Sequence, residues 1–112
     1  GPVYPAAFAR HKLDFAVPPP AERAAIQSII MDELVRGKII EASRRRLADA
    51  VSNLARQGCD AVVLGCTELP MLLDDSTSPL PTLDSTRLLA RAAVDVALGD
   101  GPLPAWRGGP LG

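Results

Sequence analysis

The fold of this chain is decided by the stretch Ala61-Val62-Val63-Leu64-Gly65-Cys66-Thr67-Glu68-Leu69-Pro70. Its apolar half predicts a buried strand, because a short run without a polar residue is typical of a parallel sheet covered by helices on both faces. Gly65 allows a sharp turn where the strand ends. Cys66 then lies at the carboxyl edge of the sheet, where open α/β folds bind ligands. We expect a helix to start at Thr67, so that its free N–H groups activate the Cys66 thiol.

Extended and helical patterns on both sides of this strand predict an α/β fold. In chain order the predicted elements are a strand over Leu13–Val17, a helix from Pro20 to Gly37, a helix over Ala42–Gln57 closed by Gly58, the strand over Ala61–Leu64, a strand over residues 79–83, and a helix capped by Asp84 or Ser85 and ended by Gly99. This β-α-α-β-α-β-α order predicts a small parallel sheet flanked by helices.

The composition of the whole chain limits its function class. The 112 residues are 47% hydrophobic and 22% charged, with a net charge of −1 and a pI near 5.7. These values are typical of one globular domain, and they argue against nucleic-acid or membrane partners. The basic run Arg44–Arg46 is predicted to be a solvated helix start. We expect a lobe over residues 3–99 and a disordered Gly- and Pro-rich tail over residues 100–112.

The two cysteines have different predicted roles. Cys59 and Cys66 flank one strand and lie about 20 Å apart, too far for a disulfide or a shared metal. Cys59 is interpreted as a small structural hydrophobe and the lone His11 as a surface residue. No spacing typical of metal ligands occurs in the sequence. We expect a reduced, cytoplasmic protein, since neither a disulfide framework nor a secretory signal is recognised.

The segment Gly65-Cys66-Thr67-Glu68 resembles the second catalytic-cysteine motif of the aspartate/glutamate racemase superfamily, whose members work without pyridoxal phosphate. Further features occur in the order expected of the family's C-terminal part: Tyr4, the strand end Val17-Pro18, the helix end Glu33–Ile39 and the junction Pro81–Ser85. The resemblance covers residues 3–98. It implies one lobe of a two-lobe racemase fold, with no cofactor.

The resemblance also implies roles for four residues. Cys66 is the acid/base thiol, and Glu68 positions it or accepts its proton. Thr67 and Tyr4 bind the substrate. Each role has a structural alternative: an inert buried thiol at a strand end for Cys66, a helix cap for Thr67, a favourable first-turn charge for Glu68, and packing on Phe8 for Tyr4. Val35 occupies the position where some aspartate-preferring members carry a lysine, which argues against aspartate as the substrate.

One family feature is missing from this sequence. Racemisation with two bases needs a group on each face of the α-carbon, and the family's first cysteine belongs to an N-terminal lobe. We therefore expect an amino acid or related carboxylate as substrate, an inactive isolated chain, and activity only with that lobe. A homodimer formed through the exposed surface around Tyr4, Cys66 and Leu69 is also expected. The alternatives are hydantoin racemase, maleate isomerase or arylmalonate decarboxylase chemistry, or a non-catalytic truncated domain.

Overall fold

A computed structural model describes residues 2–99, 101 and 102 of the chain. The α-helices of this part are α1 (Val3–Arg10), α2 (Pro20–Ser28), α3 (Glu41–Arg56) and α4 (Ser85–Leu98). Its strands are β1 (Val62–Leu64) and β2 (Thr82–Asp84), which pair in parallel with Val62 opposite Thr82 and Leu64 opposite Asp84. This small parallel sheet with surrounding helices confirms the α/β class. The tail expected over residues 100–112 lies outside the described residues except for 101 and 102.

Helix α2 does not continue to Gly37 as one regular α-helix. It passes into a π-helical turn over Ile29–Glu33 and then a 3-10 turn over Leu34–Arg36, and Gly37 ends it with φ 70°. In a π turn the hydrogen bonds join residues five apart rather than four. Ile29 and Leu34, five residues apart, are both buried. The π turn thus brings to one side two residues that a regular α-helix would separate.

The core forms where the α2 segment, α3 and β1 meet. Its members are buried aliphatic side chains, namely Ile29, Leu34, Leu47, Val51, Leu64, Leu72 and Leu73. Helix α3 begins at Glu41, one residue before the predicted start, and ends at Arg56. Gly58, with φ 97°, closes it as predicted. The Gly58 N–H donates to the Ala55 carbonyl and the Cys59 N–H to the Leu54 carbonyl, a Schellman ending that sets the direction of the chain into β1.

Two local predictions are wrong, and one helix was missed. Leu13–Val17 is not a strand, because it has no strand partner among the described residues. Helix α1 was not predicted, although Tyr4 and Phe8 are spaced to lie on one helical face, where their rings pack 6.0 Å apart. No α-helix starts at Thr67. Bends lead instead to a single 3-10 turn over Leu69–Met71, which does not supply the array of helix N–H donors expected beside Cys66.

Two smaller expectations also need correction. The arginine run is only partly solvated, because Arg44 Nε donates to the Leu72 carbonyl at 2.9 Å while Arg45 and Arg46 are exposed. In β1 only Leu64 is buried, so the strand is not covered over its whole length. Among the helices of the described residues, none combines the length and the apolar character of a membrane span.

Candidate functional site

The candidate site lies where β1 and β2 end together. Leu64 and Asp84, the last residues of the two strands, are paired in register. The Ser85 hydroxyl donates to the Leu64 carbonyl at 2.9 Å, which ties the end of β1 to the start of α4. Cys66 follows two residues beyond this anchor and is half-buried. The thiol therefore lies at the carboxyl edge of the sheet, as the sequence predicts.

Tyr4 lies against the turn that leads to Cys66. A Cβ atom added at Gly65 would lie 3.4 Å from Tyr4 Cε2 and 3.5 Å from the Tyr4 hydroxyl oxygen. These are ordinary van der Waals distances, so the phenol ring lies beside the Gly65 turn with room for a methyl group between them. The Tyr4 ring also packs on Phe8. Both roles considered for Tyr4 are compatible with this position, since the ring packs on Phe8 while its hydroxyl lies one residue from Cys66.

Thr67 and Glu68 form a hydrogen-bonded pair directly after the thiol. The Thr67 hydroxyl donates to Glu68 Oε1 at 2.6 Å. This bond is the main cause of a lowered pKa for the Glu68 carboxyl, and weaker hydrogen bonds from the Glu68 backbone and the Cys66 thiol act in the same direction. Partial desolvation opposes them. Glu68 is therefore an ionised carboxylate at neutral pH that accepts a hydrogen bond from the Thr67 hydroxyl.

Asp84 accepts hydrogen bonds from backbone N–H groups at the start of α4. Its Oδ1 accepts hydrogen bonds from the Thr86 N–H at 2.9 Å and the Arg87 N–H at 3.1 Å. Arg87 Nε also lies 3.9 Å from Asp84 Oδ2. This is the helix cap that the sequence predicts, and it accounts for Asp84 without a chemical role.

The other predicted residues lie away from this edge. Cys59 precedes β1 and is half-buried, so it lies at the opposite end of the strand from Cys66. His11 is exposed at the end of α1. Within residues 2–99, 101 and 102, no three His, Cys, Asp or Glu side chains gather in a group that could hold a metal ion.

Sequence reasoning missed the anchoring role of Ser85. A serine beside an aspartate at a helix start is explained by capping alone, so the sequence contains no separate signal for it. The role becomes visible only from the strand register. Because Leu64 is paired with Asp84, the residue after Asp84 lies beside the end of β1. The hydroxyl of that residue can then reach the last carbonyl of β1.

Comparison with known proteins identifies the family, which the geometry alone does not. The family model for Asp/Glu/hydantoin racemases matches residues 1–93. Among solved structures, the chain is similar to a Yersinia pestis protein assigned as an Asp/Glu racemase, with a TM-score of 0.77 and 33% sequence identity. That match covers 82% of this chain and 40% of the solved one. The chain thus spans less than half the length of this relative.

Proposed function

Because the chain belongs to the Asp/Glu/hydantoin racemase family, we propose that it supplies one half of a racemase active site, with Cys66 as one of two acid/base thiols. The observation that supports this most directly is the position of Cys66 at the carboxyl edge of the sheet, beside the ionised carboxylate of Glu68. The substrate is an amino acid or a related carboxylate. The second thiol belongs to the N-terminal lobe of a longer protein, and the reaction needs no cofactor.

The proposed reaction inverts the α-carbon by two proton transfers. The Cys66 thiolate forms an S–H bond with the α-hydrogen, and the electron pair of the broken C–H bond remains on the substrate as a carbanion stabilised by its carboxyl group. An acid on the opposite face then donates a proton to the α-carbon. Such a carbon acid is weak, so the site must stabilise the negative charge that develops.

In this scheme Glu68 orients the thiol and Thr67 binds the substrate carboxylate. The Glu68 carboxylate orients the Cys66 thiol by accepting a hydrogen bond from it. The exposed Thr67 hydroxyl, which donates to Glu68 in the free chain, turns to the substrate carboxylate when substrate binds. Tyr4 closes one side of the site by lying over Gly65. Val35 is exposed in the 3-10 turn after α2 and offers no cation for a second carboxylate.

The proposal is tested by exchange of the α-hydrogen in D₂O, followed by proton NMR. The longer protein, carrying the N-terminal lobe, is incubated with each enantiomer of glutamate, aspartate and a 5-substituted hydantoin. Cys66→Ser is expected to lower the exchange rate about 10²- to 10⁴-fold, the contribution of a positioned acid/base group. Cys59→Ser is the matched control and should retain activity.

The 112-residue chain alone should exchange no substrate above background. Racemisation by this chain alone, or full activity of the Cys66→Ser variant, would overturn the proposal. If the longer protein leaves every substrate unchanged while remaining folded, racemisation of these substrates is excluded, and maleate isomerisation, arylmalonate decarboxylation and the non-catalytic alternative are left. Exchange of the hydantoin only would assign the chain to that branch of the chemistry.

The role of Glu68 is tested separately from that of the thiol. Glu68→Gln keeps the size of the side chain and removes its charge, so we expect a lower kcat with little change in KM. Glu68→Asp, which restores the carboxylate, should recover part of the rate. Equal kcat for all three proteins would show that Glu68 only shapes the turn.

A further inference from the structure

The cysteine segment, residues 65–71, is held at both of its ends by side chains from other parts of the chain. Leu64 precedes the segment and Leu72 follows it, and both are core residues with only 3% and 2% exposure. The backbone carbonyl of each accepts a hydrogen bond from a side chain more than 20 positions away in sequence. Cys66 therefore lies in a short segment between two fixed points of the core.

Ser85 holds the first end of the cysteine segment. The Val62 N–H donates to the Pro81 carbonyl at 2.9 Å, so Val62 faces the β2 chain. Successive residues of a strand direct their N–H and C=O groups to alternate edges, so Leu64, two residues later, faces β2 as well. Its carbonyl is the last of β1, and the half-buried Ser85 hydroxyl donates to it at 2.9 Å. This bond fixes the direction in which the chain leaves the strand towards Cys66.

Arg44 holds the second end from the first turn of α3. Its Nε donates to the Leu72 carbonyl at 2.9 Å, and its Nη1 donates to Glu41 Oε2 at 2.6 Å. The guanidinium group is planar and presents its donors in a fixed fork, so the bond to Glu41 sets the direction in which Nε points. A lysine ammonium would keep the charge but would not reproduce both bonds in this arrangement.

We propose that Ser85 and Arg44 are positioning residues for the Cys66 thiol, and that together they hold the cysteine segment in the conformation that directs this thiol to the substrate. The inference rests on the proposed function, which supplies the α-carbon as the target of the thiol. Both residues act through backbone carbonyls. The segment itself contains a single 3-10 turn over Leu69–Met71, so its conformation depends on support from outside.

Proton transfer between sulfur and carbon makes this support important for the rate. The reacting atoms must lie about 3–3.5 Å apart with their orbitals aligned, and a displacement of about 1 Å can cost about 10²-fold in rate. A segment with one free end can shift by this distance while its other end stays in the core. Release of either end should therefore slow the chemical step more than it weakens substrate binding.

The positioning is tested first without a substrate, in the 112-residue chain. Ser85→Ala and Arg44→Lys each remove one of the two hydrogen bonds, and mass spectrometry measures how fast iodoacetamide alkylates each cysteine. We expect Cys66 to react about threefold to tenfold faster in both variants, the factor that corresponds to the loss of one hydrogen bond. Cys59 should change by less than about twofold. It is the internal control, because a general loosening of the fold would expose both thiols.

Three further variants make the test specific. Ser85→Thr keeps the hydroxyl and should restore the wild-type rate at Cys66. Thr86→Ala and Arg45→Lys are matched neighbours that should leave it unchanged, since Thr86 is exposed and the Arg45 side chain is 78% exposed against 31% for Arg44. Equal acceleration of both cysteines would show that the two bonds only stabilise the fold. An unchanged rate at Cys66 would show that they do not hold the segment, and either result overturns the proposal.

The consequence for the reaction is measured in the longer protein by exchange of the α-hydrogen in D₂O. Ser85→Ala and Arg44→Lys should each lower kcat about tenfold or more with little change in KM, and Ser85→Thr should recover the rate. A change in KM alone would contradict positioning of the thiol. If Cys66-dependent exchange occurs and neither variant alters kcat, the positioning fails and the proposed function stands. If the wild-type protein exchanges no substrate, the proposed function fails, whereas a selective change at Cys66 in the alkylation experiment still supports the positioning.

Discussion

Helices α3 and α4 are of similar length but are held in place in opposite ways. Helix α3 has 16 residues and buries five of them, yet no side chain caps its start. Helix α4 has 14 residues and buries none, yet the Asp84 carboxylate caps it with two hydrogen bonds. One helix is stabilised by its apolar face and the other by its first turn. Amphipathic spacing therefore shows that a helix has an apolar face, and it does not show that the face is covered within the same chain.

The difference also locates the surface available to partners. The sequence predicts an apolar patch around Tyr4, Cys66 and Leu69, but Cys66 and Leu69 are half-buried. Every residue from Thr86 to Leu98 is exposed, and Leu89 and Leu98 are 72% and 82% exposed. For the homodimer expected from the sequence, α4 offers more apolar surface than the edge around Cys66.

The largest effect expected from this comparison is on stability. Leu47→Ala in α3 should lower the free energy of unfolding by about 3 kcal/mol, because the side chain is only 4% exposed and its removal leaves a cavity. Leu88→Ala in α4 is the matched variant and should change it by less than about 0.5 kcal/mol. Urea denaturation of the two variants measures both values. Equal losses would show that α4 is packed as firmly as α3.

The cap of α4 should have a smaller effect. Asp84→Ala removes the acceptor for the Thr86 and Arg87 N–H groups and should cost about 1 kcal/mol. Asp84→Asn keeps a good N-cap residue and should restore most of the loss. Circular dichroism and amide exchange of α4 would show the change. A loss of helix signal equal in both variants would mean that the charge, and not the cap hydrogen bonds, holds the first turn.

Self-association of the chain should weaken when a charge is introduced on the exposed face of α4. Leu89→Glu introduces a charge on this face and should weaken self-association at least about tenfold, the effect of removing a contact at the centre of an interface. Arg91→Gln, two residues further along the same helix, is the control and should leave it nearly unchanged. Sedimentation velocity at micromolar concentration compares them. A wild-type chain that sediments as a monomer would contradict the dimer at the outset.

The smallest effect concerns the loop that joins the core to β2. The Thr82 N–H and hydroxyl both donate to Asp75 Oδ1 at 2.7 Å, and these bonds hold the pKa of Asp75 below its ordinary 3.8. A carboxyl whose pKa is lowered by folding stabilises the folded state above its unfolded pKa. That contribution is lost as the pH falls through the lower folded value. The Thr82 amide shift should therefore titrate below pH 3.8. In the Asp75→Asn variant that transition should vanish, and a midpoint at or above the ordinary value would contradict the contact.

Local signals allowed most elements to be predicted, because each depends on neighbours in sequence. Gly37 and Gly58 both adopt the positive φ that ends a helix, and Asp84 caps α4 as its position predicts. The apolar run of β1 and the turn after it are consecutive in sequence, so the position of Cys66 at the carboxyl edge of the sheet could be predicted from that stretch alone. The family resemblance carried the rest of the functional interpretation.

The failed predictions depend on contacts that the sequence pattern alone does not show. Leu13–Val17 has the alternation of a strand, but a strand exists only where another backbone pairs with it. Thr67 and Glu68 are acceptable in a helix first turn, yet their side chains bond to each other and the chain continues through a bend. The contact of Tyr4 with Gly65 joins residues 61 positions apart, and the sequence around either residue does not predict it.

The π turn over Ile29–Glu33 has a consequence for how relatives of this chain are aligned. A π turn is equivalent to one residue inserted into an α-helix, since its hydrogen bonds span one position more. A relative with one residue fewer between Ser28 and Leu34 would form an ordinary helix with the same buried positions at its two ends. A one-residue gap in an alignment at this place would therefore mark a change of helix type and not a loss of structure. Conversely, deleting Asp32 from this chain should leave the helix end at Gly37 in place.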